Sequence, residues 1–401
     1  VAYRFTEDDV TFLRSAAGDD ALTALAALPL TDASRLTDVT AAKAVAGDRF
    51  AATLETAVLR RRAAAKLADP DRWLLCDAAL QQATPSAVAA HRANRLRGRD
   101  VHDVTCSIGA DLVELAAVAR RCVGSDVDPV RLAMAAANCA HRGVDPLLVR
   151  ADALHPVTRD VAVLADPARR DDTGRRRWRP DALVPPLPDL VAVYAGRDLV
   201  VKCAPGLDFA AVPWAAEIEL VSLDGTVREA CLWTGSLATP GITRRATVLR
   251  GSAPQWTVTD ADPDDCPVRP PGEWLVDPDG AVVRAGLVRH YAARHGLGQL
   301  DPHIAYLTGD APPAGTRAFR VLEYGRYSEK TLRATLRGHD VGALEILVRG
   351  VSVRPDELRR RLRPNGSTAA TVVITRIGDT PTAFVCRAQP ADRSAWVNVE
   401  G

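Results

Sequence analysis

The sequence has almost no net charge: 51 Lys and Arg face 50 Asp and Glu, leaving a formal +1 over 401 residues. That balance gives no global attraction for a polyanion, so any such partner has to be held by local clusters. Long apolar runs are missing too. No stretch approaches the roughly 20 apolar residues that a membrane-spanning helix needs, and the first residues lack a charged-then-apolar leader pattern. No membrane association is expected. The eight cysteines form no C-x-x-C pair and no His/Cys spacing that would build a tetrahedral zinc site. The expectation is a cytoplasmic protein in a reducing compartment, with no metal and no internal repeat.

What is present is a change of pattern along the chain. Ordinary apolar and charged fractions over this length suit two or three domains. The first ninety-odd residues are rich in Ala, Leu and Arg with apolar residues at i, i+3, i+4, as in 50–66, and read as a helical lead-in. Apolar strand-like runs then alternate with helical segments: 101–104, 112–119, 122–125, 129–139, 147–149, 161–164 and 199–202. Such alternation implies βαβ units and a mainly parallel, Rossmann-like α/β sheet. The segment 205–315 is less regular, with a strand-like 218–223, a helical 281–295 and a Pro- and Asp-rich run at 259–271; it reads as an extension of the sheet domain plus a linker. After Ala311-Pro312-Pro313-Ala314-Gly315 the order strand (318–323), helix (328–337), strand (343–349), helix (354–362), strand (370–376), strand (382–387) suggests a small α+β domain. The expected domains are 1–95, 96–315 and 316–401.

The first strand leads through Thr105-Cys106-Ser107-Ile108-Gly109-Ala110 into a helix beginning near Asp111. Small residues let the backbone approach a ligand, and a helix start offers unpaired N–H groups. About 17 residues after Gly109 the next strand ends in Asp126-Val127, and the one after it in Asp152. A carboxylate at Asp126 can accept two ribose hydroxyl hydrogens, Val127 can lie against an adenine, and Asp152 can reach its amine. Either acid alone also suits a helix cap or a turn. A dinucleotide site wants G-x-G-x-x-G for its pyrophosphate, and only Gly109 of that pattern is present.

Residues 101–152 resemble the cofactor half of class I methyltransferases. Leu80–Ala93 (LQQATPSAVAAHRA) resembles the segment preceding it in a bacterial family that carries a THUMP-like domain at its C-terminus. The family's pattern recurs at Ala165-Asp166-Pro167-Ala168-Arg169-Arg170, at 201–208, at Val348-Arg349-Gly350 and at 362–375, so the resemblance spans about 75–390. It implies S-adenosylmethionine as cofactor, with Gln82 and Thr84 beside its methionine end. Read locally, Thr84-Pro85 is an N-cap followed by Pro. Ser107 and Ala110 stand where the family more often has Gly.

Asp166-Pro167 follows an apolar strand where amine-methylating relatives carry an Asp/Asn-Pro-Pro-aromatic element. A carboxylate there can accept the acceptor nitrogen's hydrogens and align its lone pair, with Pro167 setting the turn. The aromatic is missing and Arg169 stands near its place; Arg169 and Arg170 can stack on a base or grip a phosphate. An ordinary strand-exit turn explains Asp-Pro equally simply. Arg175-Arg176-Arg177-Trp178-Arg179 is the densest basic patch, suited to phosphate contact with base stacking or to a solvated loop. Lys202 can approach the acceptor or a phosphate, or pair with Asp208. Cys203 offers a thiol nucleophile for a pyrimidine carbon but has no neighbouring His; Cys106 reads as packing. His91 and His102 flank the site without an evident carboxylate partner.

In the last domain the resemblance implies help in holding structured RNA, and the local evidence is Arg349, Arg354, Arg359, Arg360, Arg361 and Arg363 before an Asn365-Gly366 turn, with Arg359 and Arg363 at i, i+4. The expected activity is methylation of a nitrogen in structured RNA. The competing readings are a small-molecule or protein methyltransferase, a non-catalytic RNA-binding protein on the same fold, and, against the missing glycines, a dinucleotide oxidoreductase.

Overall fold

A computed structural model describes residues 3–168, 180–251 and 253–389, and the chain divides into two compact units. The first holds residues 1–224, 228–240 and 249–255, the second the rest.

The lead-in forms α1 (Glu7–Leu13), α2 (Ala16–Ala26), α3 (Arg35–Ala46), α4 (Phe50–Ala63), α5 (Asp77–Gln82) and α6 (Ser86–Arg95). A capping box starts α1: the Asp9 N–H donates to Thr6 Oγ1 at 3.2 Å, and the Thr6 N–H donates to Asp9 at 2.9 Å. The buried Leu59 and Ala63 of α4 join Trp73, Leu75 and Leu80 in a core that runs on to Ile108, Leu112 and Met134. Buried Asn138 locks that junction. Its side chain accepts from the Leu74 N–H at 2.8 Å and donates to the carbonyls of Leu74 (3.0 Å) and Ile108 (2.8 Å).

The sheet of the first unit is built from β1 (Asp100–Asp103), β2 (Arg121–Asp126), β3 (Leu147–Arg150), β4 (Ala162–Ala165), β5 (Leu199–Cys203), β6 (Glu217–Leu223) and β7 (Thr226–Trp233), in the order β3-β2-β1-β4-β5-β7-β6. β3 to β5 are mutually parallel, while β7 runs antiparallel to β5. Helices α7 (Ala110–Val118), α8 (Pro129–His141) and α9 (Leu187–Val193) supply crossovers. Every residue of β1, β4 and β5 is buried, as expected of central parallel strands, and polar residues at their ends stand out against that background: Asp103 and Lys202.

Two strands follow, β8 (Arg244–Arg250) and β9 (Ala253–Thr259). In the second unit the segment read as an extension of the sheet domain plus a linker contains β10 (Trp274–Asp277), α10 (Gly280–Ala285), α11 (Val288–Arg294), β11 (Gly298–Asp301) and β12 (Ile304–Gly309). The single helix expected over 281–295 is broken at Gly286, whose φ of +76° ends α10. Beyond it come β13 (Arg317–Arg326), α12 (Glu329–Gly338), β14 (Val341–Val348), α13 (Pro355–Leu362), β15 (Thr368–Ile377) and β16 (Thr380–Ala388), the order anticipated. They join one seven-stranded sheet, β11-β12-β10-β13-β16-β15-β14. Leu332, Leu336, Leu358 and Leu362 of α12 and α13 cover one face, against Ile346, Val372 and Ile374, while Leu300, Ile304 and Tyr306 of β11 and β12 cluster with Phe319, Val373 and Phe384 of the same sheet in a second core.

Candidate active site

The sheet order reverses direction at β1, whose neighbours are β2 and β4, and in open parallel sheets a crevice opens beyond the strand ends at such a point. The chain places charged residues there in spatial order: Asp152 after β3, Asp126 on β2, Asp103 on β1, Asp166 after β4 and Lys202 on β5.

The turn after β1 is held from below. Ser107 and Gly109 both lie at positive φ, +48° and +86°. At Gly109 a Cβ would touch Ala135 of α8 at 3.4 Å, an ordinary contact, so it is the backbone conformation that favours glycine there. Asp126 accepts from the Ser107 N–H at 3.0 Å and from the Asp128 N–H at 2.9 Å. A carboxylate has about four acceptor directions, so two remain for a ligand's hydroxyls. Beside it the apolar side chain of Val127 is 59 % exposed. Asp152 accepts from the Leu154 N–H at 2.9 Å and meets His155 at 3.2 Å, its side chain half exposed. Cys106 is buried, and burial pushes its thiol well up, in keeping with packing.

Asp103 is a residue whose importance the sequence pattern did not reveal. It is buried, one oxygen accepts from the Thr105 N–H at 3.2 Å, and the other has no partner among the described residues. Burial, helped by nearby Asp111, pushes this carboxyl well above the usual range, so it is poised to gain from an arriving cation.

Around it lies a buried ionic network. Arg92 of α6, fully buried, is ion-paired on one side with Asp111 and on the other with Glu229 of β7. Burial works against its charge, yet the two carboxylates raise its pKa well above the ordinary value. Thr84 donates to Asp111 at 2.9 Å and accepts from the Lys202 ammonium at 2.7 Å. Its hydroxyl therefore does not cap α6, which begins at Ser86 without a side-chain cap, because two buried charges claim it. Lys202 also binds Asp166 and approaches Asp111 at 3.8 Å. The alternative pairing with Asp208 does not form; Asp208 instead accepts from the Ala210 N–H.

Asp166 is positioned from three directions. Its N–H donates to Thr105 Oγ1 at 2.7 Å, its Oδ2 accepts from Lys202, and Pro167 follows it. Its Oδ1 has no partner among the described residues, and the side chain is 31 % exposed. Burial raises its pKa and Asp111 adds to the rise, against the pull of Lys202. Gln82 closes α5, partly buried, on the same loop as Thr84, and Lys66 fastens that loop by donating to the carbonyls of Leu80 and Gln81, each at 3.0 Å. Arg169, Arg170 and 175–179 lie outside the described residues.

The two histidines have acquired structural partners. His91 meets Glu219 at 2.7 Å, and His102 lies between Thr158 and Ser125, each at 2.9 Å. Cys203 is buried at the end of β5 and in no disulfide. A cavity of about 650 Å³ occurs at the opposite, N-terminal edge of the strands, lined by Arg99, Arg120, Arg197 and Asp198. Two of its arginines are engaged, Arg99 with Asp198 and Arg120 with Asp100.

In the second unit the basic stripe is largely neutralised. Arg349 pairs with Asp277, Arg354 with Glu357, Arg359 with Asp356 and Arg361 with Glu329. Arg363 leaves the helix at φ +49°, so it does not extend a face with Arg359. Arg360 and Arg363 make no ion pair among the described residues. No group of metal-ligating side chains and no helix long and apolar enough to cross a membrane occurs among the described residues.

Comparison with known proteins agrees with this layout. Residues 316–388 match a THUMP domain-like family, and residues 6–63 match a domain of unknown function. Two uncharacterized S-adenosylmethionine-dependent methyltransferases of Mycobacterium tuberculosis, from strains CDC 1551 and H37Rv, are each 56% identical over 354 residues, covering 85% of this chain and 98% of theirs. A crystal structure from Porphyromonas gingivalis W83, provisionally described as a methyltransferase, superposes with a TM-score of 0.72 at 18% identity, covering 97% of this chain and all of that one.

Proposed function

The chain belongs to the S-adenosylmethionine-dependent methyltransferases, and on that footing we propose that it methylates a nitrogen of structured RNA, with Asp166 facing the acceptor. The observation that carries this reading is the Asp166 carboxylate itself, with one oxygen held by Lys202 and the other open beside the β1/β4 crevice.

When bound, S-adenosylmethionine supplies an electrophilic methyl group on a sulfonium. The residues present fit that ligand: Asp126 has free acceptor directions for the ribose hydroxyls, exposed Val127 offers a surface to the adenine, and Asp152 suits its amine. The turn 105–109 and Asp111 form the floor. Asp103, buried with one unpartnered oxygen, is suited to the methionine ammonium, near Gln82. Thr84 serves by holding that loop against Asp111 and Lys202. No phosphate-cradling glycine pattern is needed.

Asp166 accepts the hydrogens of the acceptor amine, aligns its lone pair in line with the methyl group, and binds more strongly as positive charge develops on nitrogen. Its open oxygen can then take the proton that the methylated nitrogen releases. Pro167 keeps the chain turned so that this oxygen stays toward the crevice. Support for RNA comes from the THUMP domain-like match, from Arg169, Arg170 and Arg175–Arg179 in the sequence, and from Arg360 and Arg363, which make no ion pair among the described residues. The neutralisation of four other arginines favours, as a second reading, a protein or small-molecule acceptor.

The test is transfer of label from methyl-labelled S-adenosylmethionine to total RNA, protein and metabolite fractions of a strain lacking this gene, with the wild-type protein and Asp166→Ala. Label in RNA, absent with the variant, is the expected result. Label in another fraction selects the second reading, and label unaffected by Asp166→Ala removes Asp166 from the chemistry.

A further inference from the structure

We infer that Lys202 is a positioning residue for methyl transfer: its buried ammonium holds Asp166 through Oδ2 so that Oδ1 alone is presented, as an ionised acceptor, to the incoming nitrogen. This inference rests on the reading of Asp166 as the acceptor-facing residue.

The geometry leaves Lys202 little other work. Its side chain is 7 % exposed, so a phosphate in solvent cannot reach it. Of its three ammonium protons, one goes to Asp166 Oδ2 and one to Thr84 Oγ1 at 2.7 Å, and the third faces Asp111 at 3.8 Å. The Asp166 backbone is anchored separately, by the Thr105 hydroxyl. The side-chain rotation is therefore what Lys202 adds.

Charge matters as much as direction. The groups facing Asp166 are Lys202 on β5, Arg92 on α6, Asp111 on α7 and Asp103 on β1. Arg92 is already shared between Asp111 and Glu229, so Lys202 is the cation that contacts Asp166 directly. With burial and Asp111 both favouring the protonated acid, loss of Lys202 removes the direct cation that opposes them and shifts Asp166 toward the protonated form, a hydroxyl donor. A donor pointed at an amine lone pair competes with attack instead of assisting it. The Lys202 charge is itself secure. Burial opposes it, but Asp166 and Asp111 raise its pKa above the ordinary lysine value.

The experiment compares full-length wild type, Lys202→Met, Lys202→Gln and Lys202→Arg. The first readout is the titration midpoint of Asp166, followed by NMR of protein labelled at the aspartate carboxyl carbon and assigned with Asp166→Asn. The midpoint is expected to rise by at least about one unit in the uncharged variants and to stay near wild type in Lys202→Arg. Calorimetric titration with S-adenosylmethionine is expected to change by less than about threefold, while the transfer rate falls at least about tenfold and its acidic limb moves to higher pH. Should Lys202→Met fail to fold, Lys202→Gln retains a hydrogen-bonding partner for Thr84 without the charge and carries the same measurement. An unchanged Asp166 midpoint in the uncharged variants overturns the inference, as does a loss of cofactor affinity as large as the loss of transfer. Absence of label in RNA with wild type would sink the RNA reading alone, because the NMR midpoint decides the role of Lys202 without any acceptor.

Discussion

Lys202 and Thr84 stand 118 positions apart in the chain, yet the lysine ammonium donates to the threonine hydroxyl at 2.7 Å inside the protein. That contact ties the end of β5 to the loop before α6, and through Asp111 and Asp166 to the start of α7 and the strand end after β4. A central ionic cluster thus organises four segments at once.

Breaking that cluster at Arg92 is expected to be costly. Arg92→Met leaves Asp111 and Glu229 buried without their shared cation, a loss of about 3–5 kcal/mol in unfolding free energy. Urea denaturation of the variant checks this; a loss below about 1 kcal/mol would show that the carboxylates find other partners.

Asp126→Ala removes an anchored acceptor whose hydrogen bonds to ribose hydroxyls are charge-assisted, each worth about 1.5–3 kcal/mol. Affinity for S-adenosylmethionine is expected to fall at least about 100-fold by calorimetry. NAD is expected not to bind either protein measurably.

Gly109→Ala places a side chain at φ +86° and against Ala135. Left-handed backbone costs a non-glycine residue about 1–2 kcal/mol, so the variant is expected to lose at least that much stability and some cofactor affinity. A thermal melt with and without S-adenosylmethionine separates the two losses.

His102 provides a pH signature. Its pKa is lowered to about 4, first by burial and then by Arg197, against about 6.5 in the unfolded chain. Between those values the unfolded chain binds a proton that the folded one refuses, so stability rises with pH through that window. Its contribution is full above about pH 6.5 and lost as pH falls toward 4, by about 3 kcal/mol. Denaturation curves between pH 7 and 4 check the slope, which His102→Asn is expected to flatten.

If RNA is the acceptor, Arg360→Glu with Arg363→Glu is expected to weaken RNA binding and to shallow its salt dependence by about two phosphate contacts. Arg359→Glu, already opposite Asp356, is expected to change it less. Binding isotherms at several salt concentrations distinguish these outcomes.

The sequence by itself determined what is periodic or local. Apolar runs marked β4 and β5 because central parallel strands are buried on both faces, and the apolar periodicity over 129–139 marked α8 because successive turns of one helix face are neighbours in the chain. The same locality made Gly109, Asp126 and Asp166 visible, since each lies at a strand end or in the turn that follows one. Strands β7, β10, β11 and β12 were not legible: they lie in a segment broken by Pro, Gly and Asp, where short runs acquire their meaning only from the strand beside them. Tertiary structure alone decided the charges. Whether Lys202 reaches solvent, Asp208 or Asp166, whether Thr84 caps a helix or bridges two ions, and whether Arg359 and Arg361 are free all depend on residues distant in sequence. An ion pair is a property of two side chains brought together and desolvated in common, and a sequence holds only one partner at a time.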